Sequence, residues 1–355
     1  MLKQRKDEFM DYGDRKLMKR HVQRIKEVAK EIGRDVTIME ICGGHTNVIM
    51  QYGIQELLPA NLRLISGPGC PVCVSSQRDI DSMIALADEG IPVATYGDML
   101  KVPGSRHSLD DARAMGGRIF EVYSAAEVME IRKKHSDVVF FGVGFETTAP
   151  MTTYLLKNGV CVYSVHKLVP PALKVLIDGE VRIDGFIDPG HVSTIIGADA
   201  YGGIEIPQVI SGFTPERVLR ALSILVELIR DKRSIVVNGY PEAVKKEGNR
   251  VAQKLLREHF YVADSEWRGL GTLPLSGLEV REGELNAKMK YTDLLAKVPA
   301  PKKTGCRCGE ILKGLIDSSA CPLYGKACTP ENPQGPCMVS SEGTCAIAYR
   351  YGKGA

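Results

Sequence analysis

Short apolar runs rich in β-branched residues alternate along most of this chain with stretches of helical periodicity. The first helix is expected over Arg15–Ile32, where Met18, Val22, Ile25, Ala29 and Ile32 recur at three- and four-residue steps among charged positions. Eight candidate strands follow: VTIME (36–40), LRLIS (62–66), IPVATY (91–96), VVFFGV (138–143), VCVYSV (160–165), GFID (185–188), IPQVI (206–210) and SIVVN (234–238). Runs that are apolar throughout suit parallel strands covered on both faces, and their alternation with helices predicts doubly wound α/β sheets. Eight strands are many for one small sheet. The charged helical stretch SAAEVMEIRKKH (124–135) therefore makes a natural boundary between two α/β units. The expected division is an N-terminal helix (1–32) packing on the last segment, α/β units over 33–123 and 124–262, and a cysteine-rich domain over 263–355.

The chain's 355 residues allow two or three domains, and its 44% apolar content is ample for buried cores. A net charge of +3, with Lys and Arg scattered and no basic patch interleaved with aromatics, argues against nucleic acid as a partner. No stretch of about 18 apolar residues could span a membrane. The opening MLKQRKDEFMDYGDRKLMKR is charged and lacks an apolar signal core, so a cytoplasmic protein is expected. No solenoid-type repeat and no low-complexity run is present.

Six of the ten cysteines lie in the last fifty residues: Cys306, Cys308, Cys321, Cys328, Cys337 and Cys345, with gaps of 12, 6, 8 and 7 residues after Cys308. In a reducing compartment such a cluster points to metal before disulfides. Paired C-x₂₋₄-C knuckles, the usual zinc pattern, are absent, and no histidine follows His259. All-thiolate ligation from several directions suits an iron–sulfur cluster, whose [4Fe–4S] form takes four cysteines and would leave two as structural thiols or a redox pair. Zinc or a disulfide scaffold is the alternative.

In open α/β sheets ligands bind beyond the carboxyl ends of the strands. Here those positions carry reactive residues. VTIME runs into Cys42-Gly43-Gly44-His45, whose thiol and imidazole could both reach one soft metal. LRLIS runs into Gly67-Pro68-Gly69-Cys70-Pro71-Val72-Cys73, a C-x-x-C at a helix start, where the dipole favours a reactive thiolate and hence a redox dithiol. VVFFGV runs into Gly144-Phe145-Glu146; the glycines hint at phosphate, but the third glycine of a dinucleotide fingerprint is missing, and Glu146 stands as a candidate acid/base aimed into a cleft. GFID runs into Pro189-Gly190-His191, another polar residue beyond a strand, and Asp98 and Lys101 follow a further one. Cys161 reads as a small hydrophobe within a strand. Trp267 carries no signal.

Taken in order, EICGGHT (40–46), GPGCPVCV (67–74), TYGDMLKVPG (95–104), GFETTAP (144–150), DPGHV (188–192) and the tail with GPCMVSSEGTC resemble the hydrogenase maturation factor HypD family over most of the chain. The resemblance implies two α/β domains with a cluster-bearing domain, acting in the cytoplasm as a scaffold for the Fe(CN)₂CO moiety of [NiFe]-hydrogenases. It implies a small HypC-type partner and a HypE-type cyanide donor. Cys42 would bind the nascent iron with support from His45, and Cys70 and Cys73 would be the redox dithiol; Glu146 and His191 stay candidate catalytic residues by their position beyond strands. Cys306, Cys321, Cys328 and Cys345 would hold a [4Fe–4S] cluster, with Cys308 and Cys337 as a second redox pair. A stand-alone iron–sulfur thiol–disulfide oxidoreductase is the competing reading, and a zinc-stabilised interaction protein the third.

Overall fold

The computed structural model describes residues 15–301 and 304–352. All eight expected strands are present: β1 (Val36–Glu40), β2 (Leu62–Ser66), β3 (Val93–Tyr96), β5 (Val139–Gly144), β6 (Cys161–Lys167), β7 (Gly185–Pro189), β8 (Gln208–Ser211) and β9 (Val236–Asn238). Three more were not anticipated: β4 (Ile119–Val122), β10 (Phe260–Trp267) and β11 (Gly271–Val280). They form two sheets. One is wholly parallel, in the order β2-β1-β7-β8-β9. The other runs β10-β11-β6-β5-β3-β4, with a parallel core and the β10–β11 hairpin added antiparallel at the β6 edge.

The two sheets interleave along the chain. The first takes β1 and β2, then β7 to β9, while the second takes β3 to β6 and the hairpin. Residue 124 thus does not separate one sheet from the other, because each draws strands from both sides of it. One apolar core joins the two sheets and the tail: Met39, Ile41 and Phe186 of the first sheet share it with Phe141 and Tyr163 of the second and with Ile311 and Met338. The opposite face of the first sheet, through Ile38, Ile187 and Val209, has its own core.

That second core holds the first helix, Arg15–Ile32, whose Met18, Ile25, Val28 and Ala29 are buried. The helix packs on Pro215–Arg230 rather than on the cysteine-rich segment, which corrects the expected placement. The cause is the apolar stripe on Pro215–Arg230, with Val218, Leu222 and Leu225 buried, which offers a matching face. Arg24–Glu227 at 2.5 Å and Arg230–Glu31 at 3.0 Å border the seam, but both are partly exposed pairs that add little beside the apolar contact. The tail instead folds as short helices against the reactive loops: Pro336–Val339 packs on Pro71–Val74, and Thr344–Tyr351 on Gly43–Gln51.

Candidate thiol and metal-assembly site

The site begins where β1 ends. Cys42 is the extended N-cap residue of the helix Gly43–Gln51, half-buried, with its N–H donated to the Glu40 carboxylate at 2.9 Å. Glu40 also accepts the Thr46 hydroxyl, and burial pushes its carboxyl up to about 8. Two glycines allow distant segments to close on Cys42. A Cβ at Gly69 would lie 2.2 Å from the Cys42 nitrogen, and one at Gly43 would lie 2.4 Å from the Glu342 carbonyl oxygen. Gly43 N–H donates to Gly69 O at 3.3 Å. CGGH, GPGC and SSEGTC therefore meet backbone to backbone. Burial, followed by the charge of Glu342, pushes the Cys42 thiol up to about 12, against the opposing N–H groups of Gly44 and His45. Such a thiol holds its proton at neutral pH.

His45 is fully buried and points its Nε2 at the carbonyls of Ser211 (3.3 Å) and Gly212 (3.1 Å), so Nε2 carries the proton. Nδ1 is left as an acceptor without a partner among the described residues, and burial lowers the imidazole to about 4. The ring stacks on Phe213 at 4.7 Å, whose other neighbour is the exposed His191 at 4.0 Å. Phe213 was not singled out from the sequence. The G-F step beyond β8 was the available signal, since it ends a strand at the same edge as CGGH.

Cys70 and Cys73 are bonded as a disulfide, with Cα atoms 5.2 Å apart and both side chains buried. Cys70 caps Pro71–Val74, its sulfur accepting the Cys73 N–H at 3.2 Å. Asp98 joins this assembly by accepting the Ser340 hydroxyl at 2.9 Å, while Lys101 stays exposed.

Glu146 is buried, with Oε1 accepting Val169 N–H at 3.0 Å and Oε2 unpartnered among the described residues; burial pushes it up to about 7. Neither oxygen of Asp188 in DPGHV has a partner among the described residues, and burial raises its carboxyl well above the usual range. Tyr201, whose hydroxyl lies 2.9 Å from Ser193 Oγ, feels the charges of Asp188, Glu146 and Cys42, so these groups share one buried neighbourhood.

In the tail, Cys306, Cys321, Cys328, Cys337 and Cys345 line one small cavity, with Ile311, Leu323, Tyr324 and Met338 as its apolar walls. Among the described residues no three His, Cys, Asp or Glu side chains converge as ligands of a single metal ion. The donor set fits a cluster: five thiols line one small, largely apolar cavity, and a [4Fe–4S] cluster takes four. Burial pushes Cys306 up to about 12 and raises Cys328 and Cys345, so these thiols need a cation to ionise. Gly335 gives the needed room, since a Cβ there would come 2.5 Å from the Cys306 sulfur. The sulfurs of Cys308 and Cys337 lie 2.7 Å apart in the buried interior. Cys161 is buried in β6, and Trp267 is buried with its Nε1 donating to Ser276 Oγ at 2.9 Å. Among the described residues no helix is long and apolar enough to cross a membrane.

The HypD model, described as the Hydrogenase formation hypA family, matches residues 16–352. The chain is 44% identical over 344 residues to the hydrogenase maturation factor HypD of Azotobacter vinelandii, covering 90% of each. It is 40% identical over 368 residues to that of Cupriavidus necator, covering 97% of this chain and 96% of the relative. With that of Rhizobium leguminosarum bv. viciae it shares 40% over 360 residues, covering 92% and 93%.

Proposed function

The chain belongs to the HypD family of hydrogenase maturation factors, and on that premise we propose that it is the cytoplasmic scaffold and redox component on which the Fe(CN)₂CO moiety of [NiFe]-hydrogenases is assembled. The observation that supports the reading is the closure of Gly69 and Glu342 on Cys42, which brings the Cys42 backbone against the start of the Cys70–Cys73 turn, with His45 at the head of the same helix.

In this reading the iron fragment is the substrate, held by Cys42 together with a thiolate from a HypC-type partner. A thiolate suits a soft, low-spin iron. Gly43 and Gly44 keep side-chain bulk off the backbone beside it. The free Nδ1 lone pair of His45 accepts a hydrogen bond from a donor of the partner, and His191 with Phe213 closes that side. Cyanide ligands arrive from a HypE-type partner. The Cys70–Cys73 disulfide takes up two electrons and two protons to become a dithiol, and returns them on closure. Cys306, Cys321, Cys328 and Cys345 would hold a [4Fe–4S] cluster, which when bound supplies single electrons. Cys308 and Cys337 form a second redox pair in contact with the cluster cavity, through Cys337.

The test is an infrared spectrum of the protein co-purified with its small partner. Cys42→Ala should lose the cyanide and carbonyl bands while keeping the iron of the tail, and His45→Ala should weaken them. Undiminished bands from Cys42→Ala would overturn the assignment and move the site to Cys70 or Cys73, whereas a Cys42→Ala protein that keeps all partner-dependent activity would favour a stand-alone thiol–disulfide oxidoreductase.

A further inference from the structure

A second pocket of about 120 Å³ opens beside the second cysteine pair, between the 103–105 loop, the tip of the β10–β11 hairpin and the start of the helix Cys308–Leu312, and shares Cys306 and Gly335 with the cluster cavity. It has room for a molecule of a few heavy atoms, not for a drug-sized ligand. Cys308 lines it, whereas Cys337 lines the cluster cavity instead, so the two sulfurs of the pair address different spaces. The hairpin tip is pressed against the helix start: a Cβ at Gly269, which has φ of +81°, would lie 2.3 Å from the Gly309 Cα.

Arg268, on this tip, is the sole charged side chain among the described residues lining the pocket, beside neutral Gln77, Ser105 and Gln334. Its guanidinium is held in place. Nε donates to Ser75 O at 3.0 Å and Nη1 to Gln77 Oε1 at 3.1 Å, while the backbone N–H donates to Val74 O at 2.9 Å. Nη2 is buried without a hydrogen-bond partner among the described residues. An unpaired guanidinium nitrogen is costly unless something accepts from it. Asp81 is engaged by Ser105 through N–H and hydroxyl, each at 2.6 Å, and by the same Gln77 at 3.3 Å. The pocket thus offers a fixed cation and a spare donor beside one sulfur of a dithiol.

We propose that this pocket admits a small anionic thiol, whose acid group docks on Arg268 while its sulfur attacks Cys308. The inference rests on the reading of Cys308 and Cys337 as a redox pair and adds the class of its external reductant. The thiolate attacks the Cys308 sulfur, the Cys308–Cys337 bond breaks, and Cys337 leaves as a thiolate. A second thiolate then attacks the bound sulfur of the mixed disulfide, releasing the Cys308 thiolate and a small-molecule disulfide, so two electrons pass to the pair.

The test measures, on the full-length cluster-loaded protein under anaerobic conditions, the rate at which the Cys308–Cys337 disulfide is reduced by 3-mercaptopropionate, 2-mercaptoethanol and cysteamine. Rates are normalised to thiolate concentration and read by alkylation and mass spectrometry. At low ionic strength 3-mercaptopropionate should react about tenfold faster than the neutral thiol, with cysteamine slowest, and added salt should erase the order. Arg268→Gln should erase it too, while Arg268→Lys should keep most of it, a rescue that a purely structural role would not give. Equal rates for the three thiols, or a preference surviving Arg268→Gln, would overturn the pocket assignment alone. A pair that forms no disulfide at any potential would overturn both this inference and the redox reading beneath it.

Discussion

Glu146 spends one oxygen on a backbone N–H and buries the other without a partner, so its protonated form is the stable one inside the protein. Its carboxyl titrates near 4.5 when unfolded and at about 7 when folded. Below pH 4.5 both states are protonated and nothing is lost. As pH rises from 4.5 to 7 the unfolded state ionises first, so stability falls, by about 3 kcal/mol in all, and then levels off. Glu146→Gln keeps the acceptor for Val169 and cannot ionise. The variant should therefore gain thermal stability over the unmodified protein at pH 8 but little at pH 5, as scanning calorimetry at the two pH values would reveal. A gain independent of pH would mean that Glu146 does not titrate in this range. The sequence placed Glu146 beyond a strand correctly, but not its burial, because the packing of Val169 and Tyr201 over it comes from residues far along the chain.

At the level of elements, the loops after β1 and β2 were legible because each couples a strand end, a glycine and a helix start in a few residues. The C-x-x-C is an instance: Gly69 lets the backbone approach Cys42, and Cys70 caps the turn that holds Cys73. Its two thiols should open and close together. Alkylation and mass spectrometry over a range of poised potentials should show paired labelling, and Cys73→Ser should leave the far-ultraviolet circular dichroism and the tail iron unchanged while impairing maturation. Labelling of one thiol without the other at every potential would count against the pair. The hairpin β10–β11 was missed for a physical reason. Its residues alternate in exposure, with Asp264 and Glu266 exposed, and the Gly- and Leu-rich stretch that follows reads as a connector. Strand β4, four residues at a sheet edge, is too short to stand out.

For the whole molecule, the tail is wedged between the reactive loops and gains its core partly from its own cysteines, so the proposed cluster would couple iron to architecture there. Purified anaerobically, the protein should be brown and carry about four irons and four sulfides per chain. Gly335→Ala, which crowds the Cys306 sulfur, should lower that content, and removing the iron with a chelator should expose the 305–352 segment to proteases while both sheets persist. A colourless, zinc-loaded protein with full maturation activity would sink the cluster. The sequence by itself determined what is local: the parallel strands, the reactive residues at their ends, the first helix, and six tail thiols of a kind suited to metal. Strand type follows from the apolar pattern of a few neighbours, and motif chemistry from residues within one turn. Only the tertiary structure decided which strand joins which sheet, that the first helix lies on Pro215–Arg230, and that Phe213, Glu342 and Arg268 stand beside the thiols. Those outcomes depend on contacts between segments far apart in sequence, and such contacts leave no periodicity in the chain that makes them.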